Sequence, residues 1–490
     1  MQTMSRGFGT AVRLHLAITY QDRSIRLQRI ARLLIGSLML VFAAASCYAD
    51  APDHPLAREI LKELIAVNTA PSGGDDTREA VALLVRHLQD AGFADADIAV
   101  LGHTEKRSNL VVRYRSAAAS QRPILLMAHL DVVEALPKDW HYDPFHVTED
   151  GGWYYGRGTN DNKAGAAMLI ANLIRLKQEG FEPDRDIIVM LTSDEESSGD
   201  AVKWLMAEHR DLVDADFGLN TDAGPILLID GKPLAFMLQT SEKIYTSFTL
   251  EANDPGGHSS RPHRDSAISR LAHVLVDLQA HPFPIDLNAT TRAFFERWLQ
   301  IAPPEEHPLL KAILSEHPDP AVIDGLLDSY YYNALARTTC VATELSGGHA
   351  ENALPQSARA VVNCRILPQS SAAATRDVLL SIAEPYKVTV TQMAPDVPSP
   401  ASPLEPRIVD PITVLAKQMW PGIAVIPEMS TGASDGAYVR NVGIPVYGVS
   451  AIADDPNDMR AHGQDERVGI QAFGDATEYW YRLVKVFATQ

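Results

Sequence analysis

The chain has 490 residues, of which 46% are hydrophobic and 21% charged, and it carries a formal net charge of -19. That length exceeds one ordinary hydrophobic core and predicts two domains, and the composition excludes a disordered chain. The acidic balance excludes nucleic acid as a partner, because phosphate recognition requires a basic footprint.

At the N-terminus, Arg23, Arg26, Arg29 and Arg32 lead into the apolar run 33–45, followed by Cys47, Tyr48 and Ala49. A basic region, a short apolar region and small residues predict an export signal over 1–49, cleaved after Ala49. The protein is therefore expected to be periplasmic or secreted. A lipoprotein cut before Cys47 is the weaker alternative, since alanine stands where a larger aliphatic residue is usual. The apolar run is shorter than the ~20 residues a membrane span needs.

Leu56, Ile60, Leu64 and Val67 fall on one helical face, as do Val81, Leu84, Val85 and Leu88. The runs 110–114, 124–128 and 187–192 read as strands buried on both faces, and 164–177 and 201–209 read as helices. This alternation predicts an α/β domain with a largely parallel sheet. Beyond Ser241 the pattern changes to a half-exposed strand at 245–251, an amphipathic stretch at 266–278 and antiparallel-looking runs at 340–345, 358–366 and 388–392. A smaller α+β domain inserted into the first is expected, with a helical, aromatic-rich stretch at about 282–332.

Cys340 and Cys364 face each other if 338–345 and 358–366 form a hairpin. An exported protein could bond them, but two buried thiols are the favoured expectation, because directly opposed strand pairs often suit disulfide geometry poorly. Five prolines, Pro395, Pro398, Pro400, Pro403 and Pro406, then predict a stiff extended connection back to α/β texture. The chain ends in a helix bearing Phe473, Trp480, Leu483 and Phe487.

In a parallel sheet, function gathers at the carboxyl ends of the strands. The run 124–128 leads into His129, with Asp131 placed to orient it. A glycine-rich loop before the helix at 164 carries Asp161, which alone could be a helix N-cap. The loop matches neither phosphate-binding fingerprint. The run 187–192 delivers Asp194, Glu195 and Glu196, and 217–220 leads to Asp222. Carboxylates gathered at buried strand ends need a cation. Oxygen and imidazole donors without thiolate suit zinc, cobalt or manganese.

The order and wording of these segments resemble the M20 family of zinc peptidases and deacylases, in its carboxypeptidase-S-like and N-acyl-amino-acid-hydrolase branch. The motifs are MAHLDVV (127–133), GRGTNDNKAG (156–165), SDEESSG (193–199), NTDAG (220–224), GGHSSRPH (256–263), ENALP (351–355), NCRILP (363–368), GASDG (432–436) and AHGQDE (461–466). The resemblance implies a catalytic domain over 50–242 and 396–490, interrupted by a lid or dimerisation domain over 243–395. It implies two zinc ions bridged by Asp161, one completed by His129 and Asp222, the other by Glu196 and His462. Glu195 would be the general base, Asp131 the residue orienting His129, and the Asp161–Asn162 peptide bond cis. His258 would stabilise the oxyanion, often from the other subunit of a homodimer. Asn352, Arg365, Gly432 and Ser434 would grip the substrate carboxylate. Ala433 and Ala164 depart from residues frequent in relatives.

The implied reaction is hydrolysis of an amide beside a free carboxylate, releasing a C-terminal amino acid from small peptides. Deacylation of N-acyl amino acids is the alternative, for which the aromatic stretch 294–332 could line an acyl pocket, although such residues more often form core. A ligand-binding protein on an inactive scaffold is the second alternative. The presence of all seven residues of the metal centre argues against it.

Overall fold

The computed structural model describes residues 54–489, so the expected export signal lies outside the described residues. The apolar stripes of the first two helices are buried as their spacing predicts. α1 (Pro55–Ala66) buries Ile60 and Leu64, and α2 (Arg78–Asp90) buries Val81, Leu84 and Leu88. They flank β1 (Ile98–Gly102), β2 (Ser108–Tyr114) and β3 (Ile124–His129). α3 (Lys163–Gln178), β4 (Ile187–Thr192), α4 (Asp200–Glu208), β5 (Phe217–Asn220), β6 (Ile226–Ile229) and β7 (Lys232–Glu242) follow.

All six positions of β3 and of β4 are buried, as expected for central strands covered on both faces. β4, β3 and β5 run parallel, whereas β2 is antiparallel to β4 and ends the parallel set. α3 packs behind them with thirteen buried residues. Its first turn is forced to be small: a Cβ on Gly165 would stand 2.1 Å from both Asn162 Oδ1 and Thr221 Oγ1.

The chain leaves this sheet at a single residue. β7 ends at Glu242 and β8 (Ile244–Asn253) begins two residues on, so Lys243 alone separates two sheets. α5 (Ala267–Gln279) follows β8, and then α6 (Ala289–Trp298), α7 (His307–Leu314) and α8 (Tyr330–Ala336). β9 (Thr339–Gly347), β10 (Ser357–Ile366), α9 (Ala372–Ala383) and β11 (Thr389–Gln392) complete this part. The second sheet is antiparallel in the order β9-β10-β8-β11. It shares its own core with α5 and α9, built on Phe248, Leu250, Leu271, Val362 and Leu379.

The aromatic stretch packs elsewhere. Phe294, Phe295 and Tyr332 are buried with Ala235, Met237, Ile426 and Met429, residues of β7 and of the later strand β12 (Ala424–Ser430). These rings form core against the first sheet. The proline-rich return also packs closely: Ser399 and Ser402 are buried, and Ser402 donates through its N–H to Thr240 O at 2.7 Å and through Oγ to Val446 O at 2.7 Å. α10 (Pro406–Met419) then leads through β12 to β13 (Val446–Gly448), parallel to β5, and to β14 (Ala453–Asp454) and α11 (Ile470–Ala488). Ten strands make up this mixed, mostly parallel sheet.

Cys340 and Cys364 are bonded, correcting the expectation of two thiols. They are directly opposed, with Cα atoms 4.1 Å apart, the narrow spacing that antiparallel strands adopt at non-hydrogen-bonded positions. The bond closes 24 residues of sequence separation, which in the chain-entropy account stabilises by about 3 kcal/mol. Replacing both cysteines by serine is expected to lower unfolding stability by about that amount in denaturant titration. An unchanged midpoint would show that the bond adds nothing.

Candidate metal centre

Each element of the first sheet presents its functional side chain at a carboxyl end. β3 terminates in His129, β4 leads into Glu195 and Glu196, and β5 leads to Asp222. The loop before α3 supplies Asp161, and a loop before α11 supplies His462 at a positive φ of 62°. The Asp161–Asn162 peptide bond is cis.

These side chains converge. His129 Nε2 lies 3.0 Å from Asp161 Oδ1 and 3.4 Å from Asp222 Oδ1. His462 Nε2 lies 3.0 Å from Glu196 and 3.1 Å from Asp161 Oδ2. Three overlapping groups have donor atoms within 4.8 Å of one another: His129 with Asp161 and Asp222, Asp161 with Glu196 and His462, and His129 with Glu195 and Glu196. The first two share Asp161 and leave Glu195 over. The donors are carboxylate oxygens and imidazole nitrogens, a set that fits a pair of divalent cations.

Supporting bonds hold the loops rigidly. Asp131 acts differently from the simple expectation: its main-chain O lies 3.0 Å from His129 Nδ1. Its carboxylate accepts from the N–H groups of Glu195 and Glu196, at 3.1 and 3.0 Å. Asp194 turns away and receives the N–H of Ala201 at 3.0 Å, so it braces the start of α4. Glu466, which closes the AHGQDE motif with no role read from it, is fully buried. It accepts from the N–H groups of Gly158, Asn160 and Asp161 at 3.0, 2.7 and 2.9 Å and from Arg157 at 2.6 Å. Lys163 is buried and donates to the carbonyls of Leu64 and Val67, at 2.9 and 2.7 Å.

Burial without a cation raises the carboxyls. Burial lifts Glu195 well above the usual range, with Asp222 adding to it, and lifts Asp131 and Asp222 to about 6. Asp161 is held low, because hydrogen bonds from His129 and His462 outweigh its burial. Burial would lower His129, but the surrounding Asp222 and Asp161 hold it well above the usual imidazole value. Bonds to Asp161 and Glu196 raise His462 to about 10. Asp435, within the GASDG motif and also with no role read from it, is buried and pushed up to about 7 while Thr192 donates to it at 2.5 Å.

The other predicted residues are not gathered here. His258 is exposed on a two-residue strand paired with Ala353 and Leu354, and its Nδ1 accepts from Ser260 N–H at 3.1 Å. Asn352 is exposed nearby, its carbonyl accepting from Ser259 N–H at 3.0 Å. Arg365 lies over the Tyr245 ring at 4.7 Å and points one N–H at Thr431 O, 3.5 Å away. Gly432 donates its N–H to Ser430 Oγ at 3.0 Å. Ser434 is buried, and its hydroxyl donates to Glu242 at 2.9 Å within a cluster that includes the Glu242–Arg440 ion pair.

A mostly parallel sheet that ends in a cluster of carboxylates and imidazoles defines a hydrolase of the metallopeptidase kind. The chain belongs to Peptidase family M20/M25/M40, whose profile matches residues 125–486. It is 28% identical over 380 residues to the human N-fatty-acyl-amino acid synthase/hydrolase PM20D1, covering 75% of this chain and 74% of that protein. It is 27% identical to the probable carboxypeptidase S-like 2 of Dictyostelium discoideum, covering 77% and 74%. In fold it is similar to the M20 family metallo-carboxypeptidase Sso-CP2 from Sulfolobus solfataricus, with a TM-score of 0.63, 18% identity, and coverage of 88% of this chain and 99% of that one.

The raised carboxyls fix a sign. With folded values of about 6, Asp131 and Asp222 favour the metal-free fold below their ordinary value of 3.8 and lose that contribution as pH rises through 6. Bound cations offset the loss. The rise in Tm on adding a divalent metal to chelator-treated protein is therefore expected to be larger at pH 7.5 than at pH 5, by more than about 5 °C. Calorimetry showing an equal or smaller rise at the higher pH would contradict it.

Proposed function

We propose that the protein hydrolyses an amide whose leaving amine belongs to an amino acid with a free carboxylate, releasing a C-terminal amino acid from peptides or dipeptides. One observation carries this reading: two donor sets share Asp161, and Glu195 stands outside both, beside them, with a raised pKa. A carboxyl held above its ordinary range beside the reacting centre is suited to general acid–base work. Bound by these donors, zinc (or cobalt or manganese) supplies Lewis acidity toward water and the scissile carbonyl. Glu195 takes the proton from the attacking water and passes it to the leaving amine.

Arg365 is half-buried, and burial lowers its pKa, with the Tyr245 ring as its neighbour. No carboxylate pairs with it among the described residues, and a free guanidinium suits a substrate carboxylate. Thr431 and Gly432 lie beside it. Ser434, already committed to Glu242, shapes this loop from beneath. His258 stabilises the oxyanion after a closure of the lid or from a partner subunit.

The deacylase reading has support of its own, since several relatives are named as N-fatty-acyl-amino acid hydrolases. The buried Phe294 and Phe295 do not supply the acyl pocket that reading needs. Export agrees with the Cys340–Cys364 bond, which an oxidising compartment sustains. A homodimer through the small domain agrees with its surface: edge strand β9 exposes Val341 and Leu345 (62% and 70%), and α5 exposes Ile268 and Val276. Unpaired apolar edges invite pairing with a second copy.

Glu195→Gln is expected to reduce kcat at least about 1,000-fold with metal content unchanged. Near-full activity would remove Glu195 from the mechanism. On a panel of dipeptides and N-acyl amino acids, release of C-terminal residues from the peptides is expected to be the faster reaction. Turnover confined to acyl substrates would transfer the protein to the deacylases. Sedimentation is expected to show a dimer that Leu345→Glu converts to monomer. A monomeric wild type would rule out the shared interface.

A further inference from the structure

Arg337 is 95% buried in the sense that only 5% of its surface is exposed. Among the described residues no carboxylate pairs with it and its buried Nε has no hydrogen-bond partner, and burial lowers its pKa. A buried unpaired cation is costly and calls for an anion. Arg337 lines a cavity of about 190 Å³ together with Leu278, Phe283, Leu327 and Asn333. Asn333 stands one helical turn earlier, and its buried Oδ1 also lacks a partner. The cavity therefore offers a carboxylate receptor, an unsatisfied acceptor a turn away, and apolar walls. A cavity of about 150 Å³ accommodates benzene, so this one has room for a slightly larger molecule.

We propose that this cavity, between the end of α5 and the start of β9, binds a small apolar α-amino acid. Its carboxylate pairs with Arg337, its ammonium donates to Asn333 Oδ1, and its side chain rests on Leu278, Phe283 and Leu327. A phosphate would satisfy the guanidinium but not the apolar walls. The site is separate from the metal centre. The residues that line it do not include those of the metal cluster, although Thr339, which lines it, pairs with Arg365 across β9 and β10. It also lies at the junction of the two sheets, since Lys243 Nζ donates to the carbonyl of Arg337 at 2.8 Å.

Calorimetric titration of the metal-loaded full chain with L-leucine, L-leucinamide and 4-methylpentanoate tests the proposal. Leucine is expected to bind, leucinamide at least tenfold more weakly, and 4-methylpentanoate severalfold more weakly. Arg337→Gln is expected to weaken leucine binding at least tenfold, whereas Arg365→Ala leaves it unchanged. Equal binding of leucine and leucinamide, leucine binding by Arg337→Gln at wild-type strength, or no binding below about 10 mM would each overturn it. If Arg337→Gln does not fold, the comparison of leucine with leucinamide on Arg365→Ala decides, because that variant lacks the carboxylate grip proposed for the metal centre.

Discussion

Five carboxylates, those of Asp131, Asp161, Glu195, Glu196 and Asp222, crowd the end of one sheet against two imidazoles. That concentration of like charge is the constraint to which the surrounding structure answers. Until cations arrive, the carboxyls must be partly protonated or fixed by donors. The fold supplies donors from the backbone. Glu466 collects three N–H groups of the loop that carries Asp161, and Asp131 collects two from the turn that carries Glu195 and Glu196. Acidic residues thus hold the loops that present other acidic residues, and rigidity comes before metal binding.

The second sheet is joined to this arrangement through a narrow and well-packed junction. Glu242, the last residue of β7, is buried and paired with Arg440, and Ser434 donates to it from the loop beside Arg365. The next residue, Lys243, is buried and reaches the carbonyl of Arg337. Movement of the small sheet relative to the metal centre must involve these two residues, the packed return at Ser399 and Ser402, and the crossings on either side of α6–α8, which pack against the first sheet. His258 and Asn352 ride on the small domain, exposed and outside the metal cluster. In the proposed reaction a closure or a second copy brings them to the substrate, whereas Arg365 already lies beside the Thr431–Gly432 turn.

The sequence was most legible where local pattern and burial agree. The all-apolar runs of β3 and β4 announced central strands, and the polar residues that follow them announced the site. The alternation of β8 announced a half-exposed strand. Legibility failed where a partner is remote. Glu466 bonds to a loop some three hundred residues away, and His462 sits in a loop that nothing local distinguishes, so only the family resemblance picked it out. The aromatic stretch was visible as apolar, but its packing against β7 and β12 depends on strands far from it on both sides along the chain. The cysteine pair was placed correctly across its hairpin. Whether it bonds turned on a Cα spacing that residue order cannot supply.

The same constraint also separates two adjacent residues of identical chemistry. Glu195 and Glu196 are both glutamates on one turn, yet Glu196 meets His462 while Glu195 stays outside both sets joined by Asp161. Composition cannot divide a ligand from a base. Backbone direction can, because the Asp131 carboxylate pins both N–H groups and so fixes where each side chain departs. Asp131 therefore links three positions through one residue: the ring of His129 through its carbonyl, and the side chains of Glu195 and Glu196, to which the proposed function gives different roles. Its carboxylate, itself raised to about 6 by burial, faces the backbone and not the cations. A residue read in sequence as the one that orients His129 also holds the turn that carries Glu195 and Glu196.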